Sequence, residues 1–224
     1  MSTTLAGGHT SKRKVTPRTA IPEHVRANGK WPDFEKWHPG DVILVKSKNP
    51  DPISRVIEAV QTTGYGADHA KWTHVAIYLG DGLMLCEAQI DPPQRIFSVM
   101  VSHIWDYFTE HEILLRRSKW ALDKEKGWAI ATAAATRIGM AYDWQFIVKL
   151  AAERLVGGKD FLVTDQTRKI SADRYVCSSL YSTAHAWVTR VTITDLTNGL
   201  CIPAFLAADQ EHMRTIEFDW LEIG

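Results

Sequence analysis

The chain predicts a single α+β domain, and three observations carry that expectation. Two apolar runs, residues 71–80 and 83–88, flank an Asp81-Gly82 pair. This is a strong short-range hairpin signal, because both residues accept the positive φ of a type I′ turn. Segments with helical spacing alternate with such runs along the rest of the sequence. No internal repeat or linker divides the 224 residues, which are 45% hydrophobic and 23% charged. That is enough chain for one substantial core.

Residues 1–36 read as a basic, loosely ordered N-terminal arm. Lys12, Arg13, Lys14, Arg18 and Arg26 face the single acid Glu23 before residue 30, and no helical or strand period is visible. Trp31, Phe34 and Trp37 are expected to dock its end on the domain, which spans 37–224. Pro39-Gly-Asp41 is a turn, and the continuous apolar run at 42–45 is a buried strand. Residues 52–62 carry Ile53, Val56, Ile57 and Val60 at helical spacing, with Pro52 suited to a first turn. A Gly-rich loop is expected at 63–68; it has no GxxxxGK[ST] pattern to cradle phosphate. After the hairpin, Asp91-Pro-Pro breaks the chain. Strands are expected at 95–101 and 112–117, with a short helical turn at 104–108 between them. Asp123 caps a helix to about residue 138, and Gly139 suits its C′ position. Further helices are expected at 144–155 and after Asp173, with a polar connection at 159–171 that includes a short strand at 161–163. The tail holds a helical piece near Phe205 and a final strand at 215–218.

The hairpin organises the candidate chemistry. A two-residue loop sets Gly80 opposite Leu83, Ala76 opposite Glu87 and His74 opposite Gln89. Strand side chains alternate between faces. Val75, Ile77, Leu79, Met84, Cys86 and Ala88 therefore share one apolar face, expected to meet the core. His74, Ala76, Tyr78, Leu85 and Glu87 share the other, with His74 and Glu87 as diagonal neighbours within reach. An imidazole beside a carboxylate is part of a catalytic device, and a thiol at a helix start would complete it. Tyr175-Val-Cys177-Ser-Ser-Leu-Tyr181 supplies one, at the positive end of a helix dipole that favours a thiolate. Free Cys is commonly a small buried hydrophobe. That is the reading for Cys86, on the core face, and for Cys201, in an apolar loop. Gln89 could replace Glu87 as the orienting group. His185, eight residues along the helix, lies about 12 Å from Cys177 at 1.5 Å per residue and is out of reach.

Composition excludes several classes. Lys plus Arg and Asp plus Glu are 26 each, so no basic surplus points to nucleic acid or a membrane surface. The 3 Cys form no metal spacing, and the 9 His are scattered without HxxxH or HExxH. No metal or cofactor is expected. The start of the chain has no apolar segment of a signal peptide, and no apolar run approaches a membrane span. The expectation is synthesis in a reducing cytoplasm, with reduced thiols.

The order of Gly-Asp41 before a strand, Thr-His74-Val-Ala-Ile-Tyr-Leu-Gly-Asp-Gly, Glu87-Ala, Gly139-Met-Ala-Tyr142-Asp143 and Tyr-Val-Cys177-Ser-Ser-Leu resembles the circularly permuted NlpC-type papain-like cysteine hydrolases, the YiiX-like branch. The resemblance covers about residues 39–203. It implies a permuted papain-like fold, with a central antiparallel sheet packed against helices that include the nucleophile helix. It also implies Cys177 as nucleophile, His74 as base and Glu87 as third member. The usual Cys-Ser-Glu after the nucleophile is Cys-Ser-Ser here. The Asn-Cys-Glu-His signature of the related lecithin:retinol acyltransferase-like enzymes is absent. The function this implies is a papain-like cysteine peptidase or amidase that cleaves amide bonds in peptidoglycan peptides. A bacterial antibacterial effector delivered to a target periplasm, or a phage lysis enzyme, would fit; an effector would have a secretion-machine carrier and an immunity protein as partners. The alternatives are a lipid acyl hydrolase or acyltransferase, and a catalytically silent papain-like binding module.

Overall fold

A computed structural model describes residues 10–17, 20–80, 83–91, 96–143, 145–147, 174–194 and 201–224. The expected turn at Asp81-Gly82, the break after Asp91, nearly all of the helix at 144–155 and the connection at 159–171 lie outside them.

The architecture is mixed α+β. An eight-stranded curled sheet runs in the order β10-β7-β3-β4-β5-β6-β8-β9, with a small sheet β1-β11-β2 beside it. The strands are β1 (Thr10–Val15), β2 (Lys30–Pro32), β3 (Val42–Ser47), β4 (His74–Tyr78), β5 (Met84–Asp91), β6 (Ile96–His103), β7 (His111–Ser118), β8 (Ala141–Tyr142), β9 (Arg174–Tyr175), β10 (Met213–Thr215) and β11 (Trp220–Ile223). Among the described residues the α-helices are α1 (Glu23–Asn28), α2 (Pro52–Ala70), α3 (Lys124–Ala135), α4 (Cys177–Thr189) and α5 (Pro203–Ala208), and residues 145–147 are also helical. In the large sheet neighbours are antiparallel except β8 and β9.

Both faces of the central strands are buried. Val42, Leu44, Val75, Ile77, Cys86 and Ala88 pack against Ile130 and Ala134 of α3 and Leu180 and Ala184 of α4. This is the apolar hairpin face, and it meets the core as expected except at Met84, which is 37% exposed. The opposite face, which carries Ala76, Tyr78 and Leu85, is not open. It meets a second core built from Trp31, Trp37, Phe108, Phe218 and Trp220. The aromatic residues Trp31 and Trp37 dock as expected.

Three expectations are corrected. The described part of the N-terminal arm is ordered: β1 pairs in parallel with β11, and β11 in antiparallel with β2. Lys12, Arg13 and Lys14 are exposed on β1, and Arg13 Nη2 pairs with Asp33 Oδ2 at 2.6 Å. The segment 63–68 is helical rather than a loop. α2 continues through it with one break at Gly66, at φ 68°. The buried Gln61 amide donates to the carbonyls of Ala70 and Trp72, tying the far end back to the middle of the helix. The final strand lies at 220–223, with β10 at 213–215, so the sequence at 215–218 spans the gap between two strands.

Two contacts fix the start of β3. Gly40 has φ 78°, and a Cβ there would lie 2.5 Å from the Gly127 carbonyl oxygen, while one on Gly127 would lie 2.2 Å from that of Pro39. The α3 backbone therefore sits directly on the turn. Beneath it, buried Asp41 accepts from Arg117 Nε at 2.6 Å and Nη2 at 2.8 Å, and from the His38 backbone N–H at 2.8 Å.

Candidate active site

The hairpin register is the expected one: Ile77 pairs with Cys86 and Tyr78 with Leu85. Continued toward the open end, it sets Ala76 across from Glu87 and makes His74 the diagonal neighbour of Glu87. The two side chains meet, His74 Nε2 bonding to Glu87 Oε2. The carboxylate is 0% exposed and the imidazole 22%, so the acid is sealed while the ring can still be reached. Gln89, the other candidate orienting group, lines the adjoining cleft.

Cys177 opens α4 and is buried against the sheet. Nε2 of His74 is committed to Glu87, which leaves Nδ1 as the ring nitrogen for the thiol. Burial by itself would lower the His74 pKa. The Glu87 charge, hydrogen bonds to Cys177 and Glu87, and the Cys177 charge outweigh burial and raise it to about 10. Burial would raise the Glu87 pKa; the His74 charge and donors from His74, Ser102 and Tyr107 reverse this and hold it below the usual range. Ser102 stands close enough to favour the carboxylate, yet neither Ser102 Oγ nor Glu87 Oε1 completes a hydrogen bond among the described residues. An imidazolium between a carboxylate and a sulfur is the state this environment favours.

The local sequence explains how α4 presents its first residue. The Val176 backbone N–H donates to Ser179 Oγ at 3.0 Å. Ser179 thus takes the reciprocal role usually filled by Glu or Gln three residues into a helix. The departure to Cys-Ser-Ser therefore keeps the cap. Ser178 Oγ donates to the Cys201 carbonyl at 2.6 Å, pinning the same turn. The first backbone N–H groups of a helix have no intrahelical acceptor, and that of Cys177 is among them. Just upstream, β8 and β9 pair Tyr142 with Tyr175. Tyr142 feels the Cys177 charge, second only to its own burial, and both raise its pKa.

A cleft of about 180 Å³ opens beside His74, lined by Ile57, Gln89, Tyr107, His111 and Tyr142 among others. The other two thiols are buried in the core. Burial, then the Glu87 charge, pushes Cys86 up to about 12, and burial pushes Cys201 higher still. His185 is a core residue, with Ser118 Oγ 2.7 Å from its Nε2 and the Val191 carbonyl 2.9 Å from its Nδ1.

Sequence reading missed Tyr107. It lies in a 3-10 turn (Ile104–Tyr107) between β6 and β7 and donates its hydroxyl to Glu87 Oε2 at 2.5 Å. An Ile-Trp-Asp-Tyr-Phe run looks like core filling, and only the phenol's need for a buried acceptor hints otherwise.

No protein-family model matches the sequence, and no curated protein matches it significantly. Among solved structures, the chain is similar to the metalloprotein YiiX of Escherichia coli O157:H7, with a TM-score of 0.51 and 14% identity. The likeness covers 80% of this chain and 97% of that one, and it shows the fold alone. The metal belongs to that protein's description. Among the described residues here, no group of three or more His, Cys, Asp or Glu is arranged to hold an ion. No described helix is long and apolar enough to cross a membrane.

Proposed function

We propose that the protein is a cysteine hydrolase of the permuted papain-like kind, acting through Cys177, His74 and Glu87. The observation that carries this is the His74–Glu87 hydrogen bond at a ring that also interacts with the thiol at the start of α4. The YiiX-like fold agrees with it.

The chemistry runs in two halves. The Cys177 thiolate attacks a carbonyl carbon, and the Cys177 backbone N–H at the start of α4 helps hold the oxyanion. His74, as imidazolium, gives its proton to the leaving nitrogen; the C–N bond breaks, the amine departs and a thioester remains. Neutral His74 then takes a proton from water, the hydroxide adds to the thioester carbonyl, and the C–S bond breaks to free the Cys177 thiolate. The acid product leaves and gives its proton to solvent, and the thiolate–imidazolium pair is restored. Glu87 stays ionised throughout and stabilises the imidazolium, as the acid of a triad does.

For the substrate, we infer amide bonds in peptidoglycan peptides. The motif set matches the amidase side of the superfamily, and the acyltransferase signature is missing. Delivery to a target periplasm, with a carrier and an immunity protein, belongs to the same reading. Purified peptidoglycan is digested with wild type and Cys177→Ala, and the products are identified by mass. New peptide termini with wild type alone are expected. Release of fatty acid from phospholipid, with cell-wall peptide untouched, would overturn the substrate assignment in favour of lipid acyl hydrolysis.

A further inference from the structure

Glu87 is wholly buried, with one oxygen accepting two bonds and the other none among the described residues. Oε2 accepts from His74 Nε2 and from the Tyr107 hydroxyl; Oε1 has no partner among the described residues. A buried carboxylate stays ionised only if donors replace the lost water. The groups that face it are His74 from β4, Tyr107 from the 3-10 turn and Ser102 from β6, with Asp106 and His111 at longer range. Of these, Tyr107 is the uncharged donor that completes a hydrogen bond.

The Tyr107 ring is fixed on several sides. It stacks on the His74 ring with centroids 6.1 Å apart and meets His111 edge-on at 5.1 Å. Its turn is anchored at both ends. The Ile104 N–H donates to the Leu83 carbonyl at 2.8 Å. Phe108, next in sequence, packs edge-on against Trp31 at 5.9 Å and Trp220 at 5.6 Å. Asn28 Nδ2 donates to the Phe108 carbonyl at 3.4 Å. Trp31 and Trp220 belong to β2 and β11, so the small sheet is what grips the turn.

We propose that Tyr107 is a positioning residue and the fourth member of this site, its hydroxyl keeping Glu87 ionised and aimed at His74, and that the β1-β11-β2 sheet serves the site by clamping the turn that carries it. This rests on the Cys177–His74–Glu87 reading. It gives the N-terminal segment a role in the chemistry without any contact with substrate.

The test needs no substrate. The full chain is alkylated with iodoacetamide across a range of pH, and Cys177 modification is followed by mass in wild type, His74→Ala, Tyr107→Phe and Phe108→Leu. Tyr107→Phe keeps the ring and removes only the donor. Losing a hydrogen bond to a charged group should slow Cys177 alkylation near neutrality about tenfold. The acid limb of the profile should also move to higher pH, because Glu87 then ionises less readily. Phe108→Leu should move it the same way by less, with Tyr107 intact. A Tyr107→Phe profile within about twofold of wild type at every pH overturns the proposal. So does slowing that comes with a lost fold and no moved limb. If His74→Ala alkylates like wild type, the underlying catalytic reading fails instead, and the two failures are told apart.

Discussion

Glu87→Gln is the sharpest probe of the site's electrostatics, because it removes a charge while preserving size and one acceptor. In the wild type, burial pulls the His74 pKa down, and the Glu87 charge is the largest of the Glu87 and Cys177 interactions that together raise it from 6.5 to about 10. A rise of that size is worth on the order of 5 kcal/mol of preference for the imidazolium. With glutamine in place, the amide can still orient the ring, but burial opposes the charged form with far less against it. His74 should then be largely neutral at pH 7. The sign follows for stability. A folded pKa raised above the unfolded one stabilises fully below about pH 6.5, and the benefit is lost as pH rises through about 10. Wild type should therefore lose stability across that window, and Glu87→Gln should show a much flatter profile. NMR titration of the His74 imidazole nitrogens and chemical denaturation near pH 6 and pH 10 measure the two effects separately. Turnover should fall but persist. A wild-type His74 that titrates near 6.5, or at the same pH in both proteins, would refute the reasoning.

Two further outcomes follow from the same geometry. Iodoacetamide at mildly acidic pH should modify Cys177 well ahead of Cys86 and Cys201, whose thiols burial keeps protonated; peptide mapping by mass would reveal equal labelling if this is wrong. Arg117→Met strands Asp41 in the core and should cost about 3–5 kcal/mol in urea unfolding, with much of the loss recovered when Asp41→Asn is added.

The parts of the site legible in the sequence were those set by local rules. An Asp-Gly turn fixes a register, the register fixes which side chains are diagonal neighbours, and so His74 and Glu87 could be paired. The cap at Asp123 was equally local, and its carboxylate does accept from the Lys126 N–H at 2.7 Å. What stayed hidden depends on partners remote in the chain. Tyr107 finds its acceptor 20 residues away through the return of β6, and Asp41 meets Arg117 across 76. The helix through residues 63–66 runs against glycine's poor propensity because Gln61, itself buried, holds the segment together from inside. The order in the arm was invisible for a related reason. A strand written Thr-Ser-Lys-Arg-Lys-Val carries almost no apolar period, and its partner β11 is at the other end of the sequence.

That last pairing sets an order of events during synthesis. Thr10 lies beside Trp220, some 210 residues later, so the strand made first must wait for nearly the last one. Domains emerge from the ribosome N-terminal end first, and contacts of such separation are slow to close. The hairpin that carries His74 and Glu87 can form while the chain is still growing. The grip of Trp220 on Phe108 must wait until residue 220 has been made. A nascent chain would hold the His74–Glu87 pair before it holds the support beneath it. The small sheet thus acts as a latch on maturation, closing only when β11 has left the ribosome.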